Sequence, residues 1–195
     1  MIEIRETTKR DLALVKILWA DGDVMRFVGF PEGLHQTDEY MMHWFEWIVS
    51  SRPATNHYSI FSDEVYCGET FFSLDSVHKS ASLDIKLFRF ARGKGIAAAA
   101  LSFAMKEAFK NGARSVWVDP NPQNSRAIAL YQRLGFKKKQ RPPYLEEASS
   151  IYMECIWNAP VKKVSRRTAP SVHARKYRGK NRSSIRQKPR PKRCF

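Results

Sequence analysis

The chain has 195 residues, 43% hydrophobic and 27% charged, enough for one domain with a sizeable core; this balance excludes a low-complexity or fibrous chain. The formal net charge is +15, but 14 of the 34 Lys and Arg lie in 158–195, where there is no Asp or Glu, so the body is left with 20 basic against 19 acidic groups. Cys67, Cys155 and Cys194 are too few and too scattered for a disulfide framework, and no apolar run approaches the ~18 residues of a membrane span.

A reducing compartment is therefore expected, with the cytoplasm as the default and no membrane association. The opening Met1-Ile2-Glu3-Ile4-Arg5 alternates like a strand and lacks the basic-then-apolar character of a secretion signal. Residues 2–5 read as that first strand, and Thr8 is placed to cap a helix over roughly 12–20. Gly22, Gly29, Pro31 and Gly33 punctuate 21–35 as a loop. Thr37 offers an N-cap for a second helix through about Ser50, with Met41, Trp44, Phe45 and Ile48 on one stripe and Pro53 beyond its end. Three β segments follow at 57–61, 65–74 and 81–88. In the last, Ala81, Leu83, Ile85 and Leu87 alternate with Ser82, Asp84 and Lys86, as in a half-buried strand.

From there the pattern becomes βαβα. Residues 96–110 form a long helix closed by Gly112, and 114–118 a strand that Asp119-Pro120-Asn121-Pro122 cannot continue. Asn124 caps a helix ending at Gly135, and 136–139 and 151–157 read as two further strands. The expected fold is α/β (α+β), a mixed central sheet of about six to seven strands flanked by helices. It occupies 1–157; the tail at 158–195, in which Pro, Ser, Lys and Arg recur, is expected to be disordered.

The stretch that bears on chemistry is 88–97, Phe-Arg-Phe-Ala-Arg-Gly-Lys-Gly-Ile-Ala, joining a strand to a helix. Its glycines let backbone amides approach an anion, and the free N–H groups and dipole of the helix start favour negative charge. Two better-known phosphate loops are excluded by the letters. Phe88 and Gly95 break a Walker A loop, and Ala98 breaks the dinucleotide fingerprint. One βα unit later, Asn124 and Tyr131 stand seven apart and so share nearly one helix face, followed by Gly135-Phe136.

Arg92-x-x-Gly95-x-Ala97 together with Asn124-(x)6-Tyr131-(x)3-Gly135-Phe136 resembles the acyl-CoA motif of the GNAT acetyltransferase superfamily. The resemblance covers about 2–157 and leaves the tail out. It implies a GNAT-like acyl-CoA fold, acetyl-CoA as co-substrate, an amine acceptor and no metal. It implies that one strand splays from its neighbour at a bulge and that pantetheine meets the backbone of Leu87 and Phe88. Arg92, Gly93, Lys94, Gly95, Ile96 and Ala97 would hold the pyrophosphate, Asn124 and Ala127 would reach the pantetheine arm, and Tyr131 would be the general acid beside the sulfur.

An amine with a pKa near 10.4 is neutral in only roughly 0.04% of molecules at pH 7, so a base or water relay must remove its proton. Glu69 and Asp84, on the polar sides of adjacent strands, are the candidates beside a water relay. Asp21, Asp23, Glu32, Asp38 and Glu39, with Trp44, Phe45 and Trp47 nearby, could draw a small cationic acceptor, as monomer or homodimer. His35, His43, His57 and His78 show no metal spacing. The alternative acceptor is a ribosomal or N-terminal protein amine, with the basic tail docking the enzyme on ribosomes or RNA.

Overall fold

The computed structural model of the protein describes residues 1–146 and 148–156. The basic tail and its expected disorder lie outside those residues, as does Trp157. Strand β1 (Ile2–Glu6) leads through a single 3-10 turn at Lys9–Asp11 into helix α1 (Leu12–Ala20). The turn is built around Asp11, which accepts from the Thr8 N–H at 2.8 Å and from both Arg5 guanidinium nitrogens at 2.7 and 2.8 Å. Thr8 thus closes a reciprocal cap with Asp11, one turn ahead of the expected helix.

Residues 21–35, expected as loop, contain a four-residue helix α2 (Gly22–Met25) and a 3-10 turn at Arg26–Val28. The Asp21 side chain caps α2 by accepting from Asp23 N–H at 2.8 Å, and Val24 and Met25 are buried. Gly22 is required there, because a Cβ would come within 2.2 Å of the Pro31 carbonyl oxygen. Helix α3 (Asp38–Ser51) starts at the Thr37 cap, as its sequence predicts.

The strands are β2 (Thr55–Ser62), β3 (Val65–Asp75), β4 (Ser80–Leu87), β5 (Ser115–Val118), β6 (Lys137–Lys138) and β7 (Met153–Ile156). Helix α4 (Ile96–Lys110) joins β4 to β5, and α5 (Ser125–Arg133) follows β5. One seven-stranded sheet runs in the order β1-β2-β3-β4-β5-β7-β6. Its pairs are antiparallel except β4–β5, which the α4 crossover makes parallel. In β3 the register slips between Ile60 and Phe61 of β2, leaving Cys67 as the extra residue of a bulge. Gly68 beside it has φ +149°, and a Cβ there would meet the Lys86 carbonyl oxygen at 2.0 Å.

Both faces of the sheet are covered. Leu101, Ala104 and Ala108 of α4 pack with Phe72, Ala81, Leu83 and Val116 on one face. Val15, Leu18 and Trp19 of α1 pack with Met41, Trp44 and Ile48 of α3 on the other. Each fully buried Val, Leu, Ile, Phe or Met among them contributes about 1.5–3 kcal/mol. β4 therefore departs from the half-buried strand its alternation suggested: Lys86, on its polar side, is only 4% exposed because α1 and α3 roof that side.

Burial alone would raise the pKa of Asp11, but hydrogen bonds from Arg5 and Thr8 outweigh it and hold the carboxyl below its ordinary value. Its contribution is therefore full above pH of about 4 and is lost as pH falls through the lowered folded-state value. Asp11→Asn should cost about 1–3 kcal/mol at neutral pH. In urea unfolding at a series of pH values, the gap between wild type and variant should close below pH of about 4; a gap independent of pH would contradict the assignment.

Candidate active site

The site begins where the sheet stops being a sheet. β4 pairs with β5 only at Ser80–Ser115, Ala81–Val116 and Ser82–Trp117, while its other edge stays paired with β3 as far as Leu87–Gly68. Residues 83–87 thus border an opening. The Phe88 N–H donates to Cys67 of β3 at 3.0 Å, so alternation turns the backbone groups of Ile85 and Leu87 toward the opening. Two of these are taken by side chains. Asp84 Oδ1 accepts from the Ile85 N–H at 2.7 Å, and Arg92 Nε donates to the Leu87 carbonyl at 3.0 Å. The Leu87 N–H and the Ile85 carbonyl face the gap. Phe88, expected to serve pantetheine beside Leu87, is closed: its N–H goes to Cys67 and its carbonyl accepts from Ala91 N–H at 3.0 Å.

The connection after β4 holds two left-handed glycines, Gly93 at φ +78° and Gly95 at φ +79°, and α4 begins at Ile96 with no side-chain cap. The first amides of α4 are thus presented to solvent beside exposed Gly93, Lys94 and Gly95, a receptor for an anion. The Arg92 side chain turns away from this turn. Besides Leu87 it reaches the Asp23 carbonyl at 3.1 Å and brings Nη1 within 3.9 Å of the Asp23 carboxylate, clasping α2 to the end of β4.

Next to this clasp is a cleft of about 390 Å³ whose lining includes Asp23, Arg26, Phe27, Arg89, Asn124 and Arg126. Asp23 lies 3.7 Å from Arg26 and 4.0 Å from Arg89 as well as near Arg92, so three guanidiniums surround one carboxylate and the mouth is basic. Asn124 Oδ1 caps α5 by accepting from Ala127 N–H at 3.2 Å; both residues expected at the pantetheine arm are thus engaged to each other through one atom each. Neither Arg26 in its supposed loop, nor Arg89 and Arg126, stood out in the sequence. Their one signal was an arginine at each of three turn or helix-start positions.

Tyr131 is buried, its ring 5.7 Å from Phe136. Burial first, then the nearby Asp84 and Asp119 carboxylates, push its pKa well above the ordinary tyrosine value, so it carries its proton at neutral pH. Asp84 is the more open of the two candidate bases, its side chain 27% exposed, with Oδ2 paired to Lys86. Glu69 is 1% exposed and does not face the opening freely. It accepts from Trp19 Nε1 at 2.8 Å and sits 3.3 Å from Lys86 Nζ. Its other oxygen lies 3.0 Å from His57 Nε2, close but poorly aligned for a hydrogen bond. Desolvation would raise the Glu69 pKa, but His57 and Lys86 overcome it and hold the carboxyl at about 2.

The carboxylate collar expected on the acceptor side is mostly spent. Asp21 caps α2, Asp23 faces arginines and Asp38 pairs with Lys16 at 2.7 Å, while Trp44 is core. Glu32 and Glu39 are exposed. Among the described residues, no three His, Cys, Asp or Glu side chains are grouped to hold a metal ion, and no helix is long and apolar enough to cross a membrane.

The sequence matches the acetyltransferase (GNAT) domain family over residues 2–137. The chain belongs to the GNAT acetyltransferase family. No curated protein matches the sequence itself. Solved structures share the fold. Spermidine N-acetyltransferase from Vibrio cholerae, in complex with CoA and spermine, is 15% identical with TM-score 0.68, covering 80% of this chain and 95% of that one. yncA of Salmonella typhimurium, solved with its cofactor acetyl-CoA, is 18% identical with TM-score 0.64 over 80% of this chain and 93% of its own. Ribosomal-protein-alanine N-acetyltransferase from Brucella melitensis is 18% identical with TM-score 0.65, covering 80% and 99%.

In this GNAT chain the anion-receptive turn is the part most open to direct test. A Cβ at Gly95 meets nothing within 4 Å, so a side chain there strains only the φ of one residue, roughly 1–2 kcal/mol. Gly95→Val should remain folded and lose acetyl-CoA affinity by about tenfold or more, because the strained turn misaims its amides. Titration calorimetry on a variant with native circular dichroism checks this; unchanged affinity would remove the turn from the binding site.

Proposed function

We propose that the chain transfers the acetyl group of acetyl-CoA to a primary amine by direct attack, with Asp84 as general base and Tyr131 as general acid, and that its acceptor is a small cationic molecule. The observation that carries this reading is the opening along residues 83–87 of β4, with Asp84 at its edge, together with a buried Tyr131 whose proton burial and the Asp84 and Asp119 charges help to hold. The phosphates of the cofactor would lie toward Arg26, Arg89, Arg126 and the amides at the start of α4. The thioester would lie along the edge of residues 83–87.

The amine nitrogen attacks the thioester carbonyl carbon after losing a proton to Asp84. The carbonyl oxygen takes up negative charge, for which the Leu87 N–H is a donor aimed into the gap. The carbon–sulfur bond then breaks, Tyr131 gives its proton to the departing thiolate, and the second proton of the newly acylated nitrogen is released to restore the Tyr131 hydroxyl, leaving a neutral amide. The arginines at the mouth also favour the phosphates there and repel a cationic amine, which is left to approach from the Asp84 side. Glu69 does not suit the base: at about 2 its carboxyl is too weak a base, and it is buried where Asp84 is partly open.

Tyr131→Phe should lower kcat by about 10²-fold or more while acetyl-CoA affinity hardly moves, because the ring still packs on Phe136. Single-turnover kinetics decide this, and a wild-type chemical rate in the variant would return Tyr131 to the core.

A second reading, a protein amine as acceptor, is favoured by the 14 cations and absent acids of 158–195. Thiol release from acetyl-CoA with spermidine, an aminoglycoside, a free amino acid and an N-terminal alanine peptide separates the two readings. The chain and a version ending at 157 should acetylate the small amines equally. If the tail docks the enzyme on RNA, only the full chain should bind RNA, with affinity falling steeply as salt is added. Turnover confined to the peptide, and lost on truncation, would overturn the small-molecule reading.

A further inference from the structure

The polar side of the sheet beneath α1 and α3 holds a chain of charged groups that the reaction as described does not use. Lys86 and Glu69 face each other across β4 and β3, and their side chains are 3% and 2% exposed. Lys86 Nζ lies 3.3 Å from Glu69 Oε1, 5.9 Å from the centre of the Phe71 ring, and in contact with Asp84 Oδ2. Behind Glu69 stand Trp19 Nε1 and His57 Nε2, and His57 Nδ1 meets Thr7 Oγ1 at 2.8 Å, which in turn meets Ser59 Oγ at 2.9 Å. The row therefore runs from the first turn after β1, across three strands, and ends on a carboxylate at the opening.

Stability does not account for such a row, since replacing a buried ion pair by apolar groups of similar volume is often neutral or stabilising. Nor does it conduct protons. Desolvation would lower the Lys86 pKa, but Asp84 and Glu69 together raise it well above the ordinary lysine value, so the ammonium keeps its charge. What the row does control is one side chain. Asp84 is held at three points: its carbonyl accepts from Thr70 Oγ1 at 2.7 Å, Oδ1 accepts from the Ile85 N–H, and Oδ2 takes Lys86. Lys86 has one charge for two carboxylates, and Glu69 fixes where its long, flexible stem ends.

We infer that Lys86 and Glu69 are positioning residues, a buried clamp that holds the Asp84 carboxylate at the open edge of β4 in the orientation the attacking amine needs. The inference rests on Asp84 being the base proposed above. Loss of the clamp leaves Asp84 present but free to leave the edge. Because a displacement of about 1 Å costs up to about 10²-fold in rate, the effect should fall on kcat and spare the cofactor.

The test is a double-mutant cycle between the clamp and the base. Asp84→Asn should lower single-turnover acetyl transfer to the best acceptor of the panel by about 10²-fold. Glu69→Gln with Lys86→Met removes both buried charges together and should lower it by about tenfold or more, with acetyl-CoA affinity unchanged. Adding Asp84→Asn to that pair should then cost much less than it does in the wild type, which a loss of general stability would not produce. Should the pair fail to fold, Glu69→Gln alone, which keeps the side chain's size, carries the same comparison. Full activity in the clamp variants, or an Asp84→Asn penalty of the same size with and without the clamp, would overturn the inference. An inert Asp84→Asn would instead overturn the choice of base and leave the acetyl-transfer reading standing.

Discussion

Everything at this site follows from one interrupted ladder. Parallel strands β4 and β5 share three residue pairs and then part, while β3 keeps its hold on the whole length of β4. A strand paired on one side only leaves peptide groups that must find partners, and away from water each unpaired one costs about 1–3 kcal/mol. The chain answers with side chains: Asp84 takes the Ile85 amide and Arg92 the Leu87 carbonyl. The Leu87 N–H and Ile85 carbonyl are left facing the gap. The edge is thus kept polar and open, where an ordinary sheet would have closed it with another strand. The bulge at Cys67 and the side-chain-free Gly68, pressed against Lys86, shape β3 where it supports the end of β4.

Much of this was legible in the letters, and for a physical reason. Strong periodicity and unambiguous caps, such as Thr37 before α3 and Gly112 after α4, express local forces that act within a few residues. The turn at Gly93 and Gly95 was legible because only glycine adopts positive φ without cost, so the letters state the conformation. What escaped the sequence was decided by tertiary contact. The helix at Gly22–Met25 is too short to show a period, and it exists because Asp21 caps it and Pro31 leaves no room for a Cβ. Alternation in β4 correctly divided its side chains between two faces, yet could not say that α1 and α3 would roof the polar one. Lys86 and Glu69 therefore read as solvated charges until the roof was in place.

The fate of the acidic residues near the first helices has the same origin. A count of carboxylates along 21–39 suggests a negative collar, because a sequence gives no partners. In space Asp21 serves a helix end, Asp38 meets Lys16, and Asp23 is outnumbered by Arg26, Arg89 and Arg92. Charge along a chain is a property of composition, whereas charge at a site is a property of neighbours. In this fold two of the three arginines around Asp23 come from a connection nearly seventy residues away.

That rearrangement leaves the mouth of the cleft basic. Arg26, Arg89 and Arg126 line the mouth, while farther in Asp84 is paired with Lys86 and Asp119 lies 3.6 Å from Arg141. Burial acts twice through one low dielectric: it holds the Tyr131 hydroxyl protonated, and it strengthens the field that the Asp84 and Asp119 carboxylates exert on it. A solvated pair of carboxylates would do neither well, since water would screen the field and leave the tyrosine near its ordinary pKa.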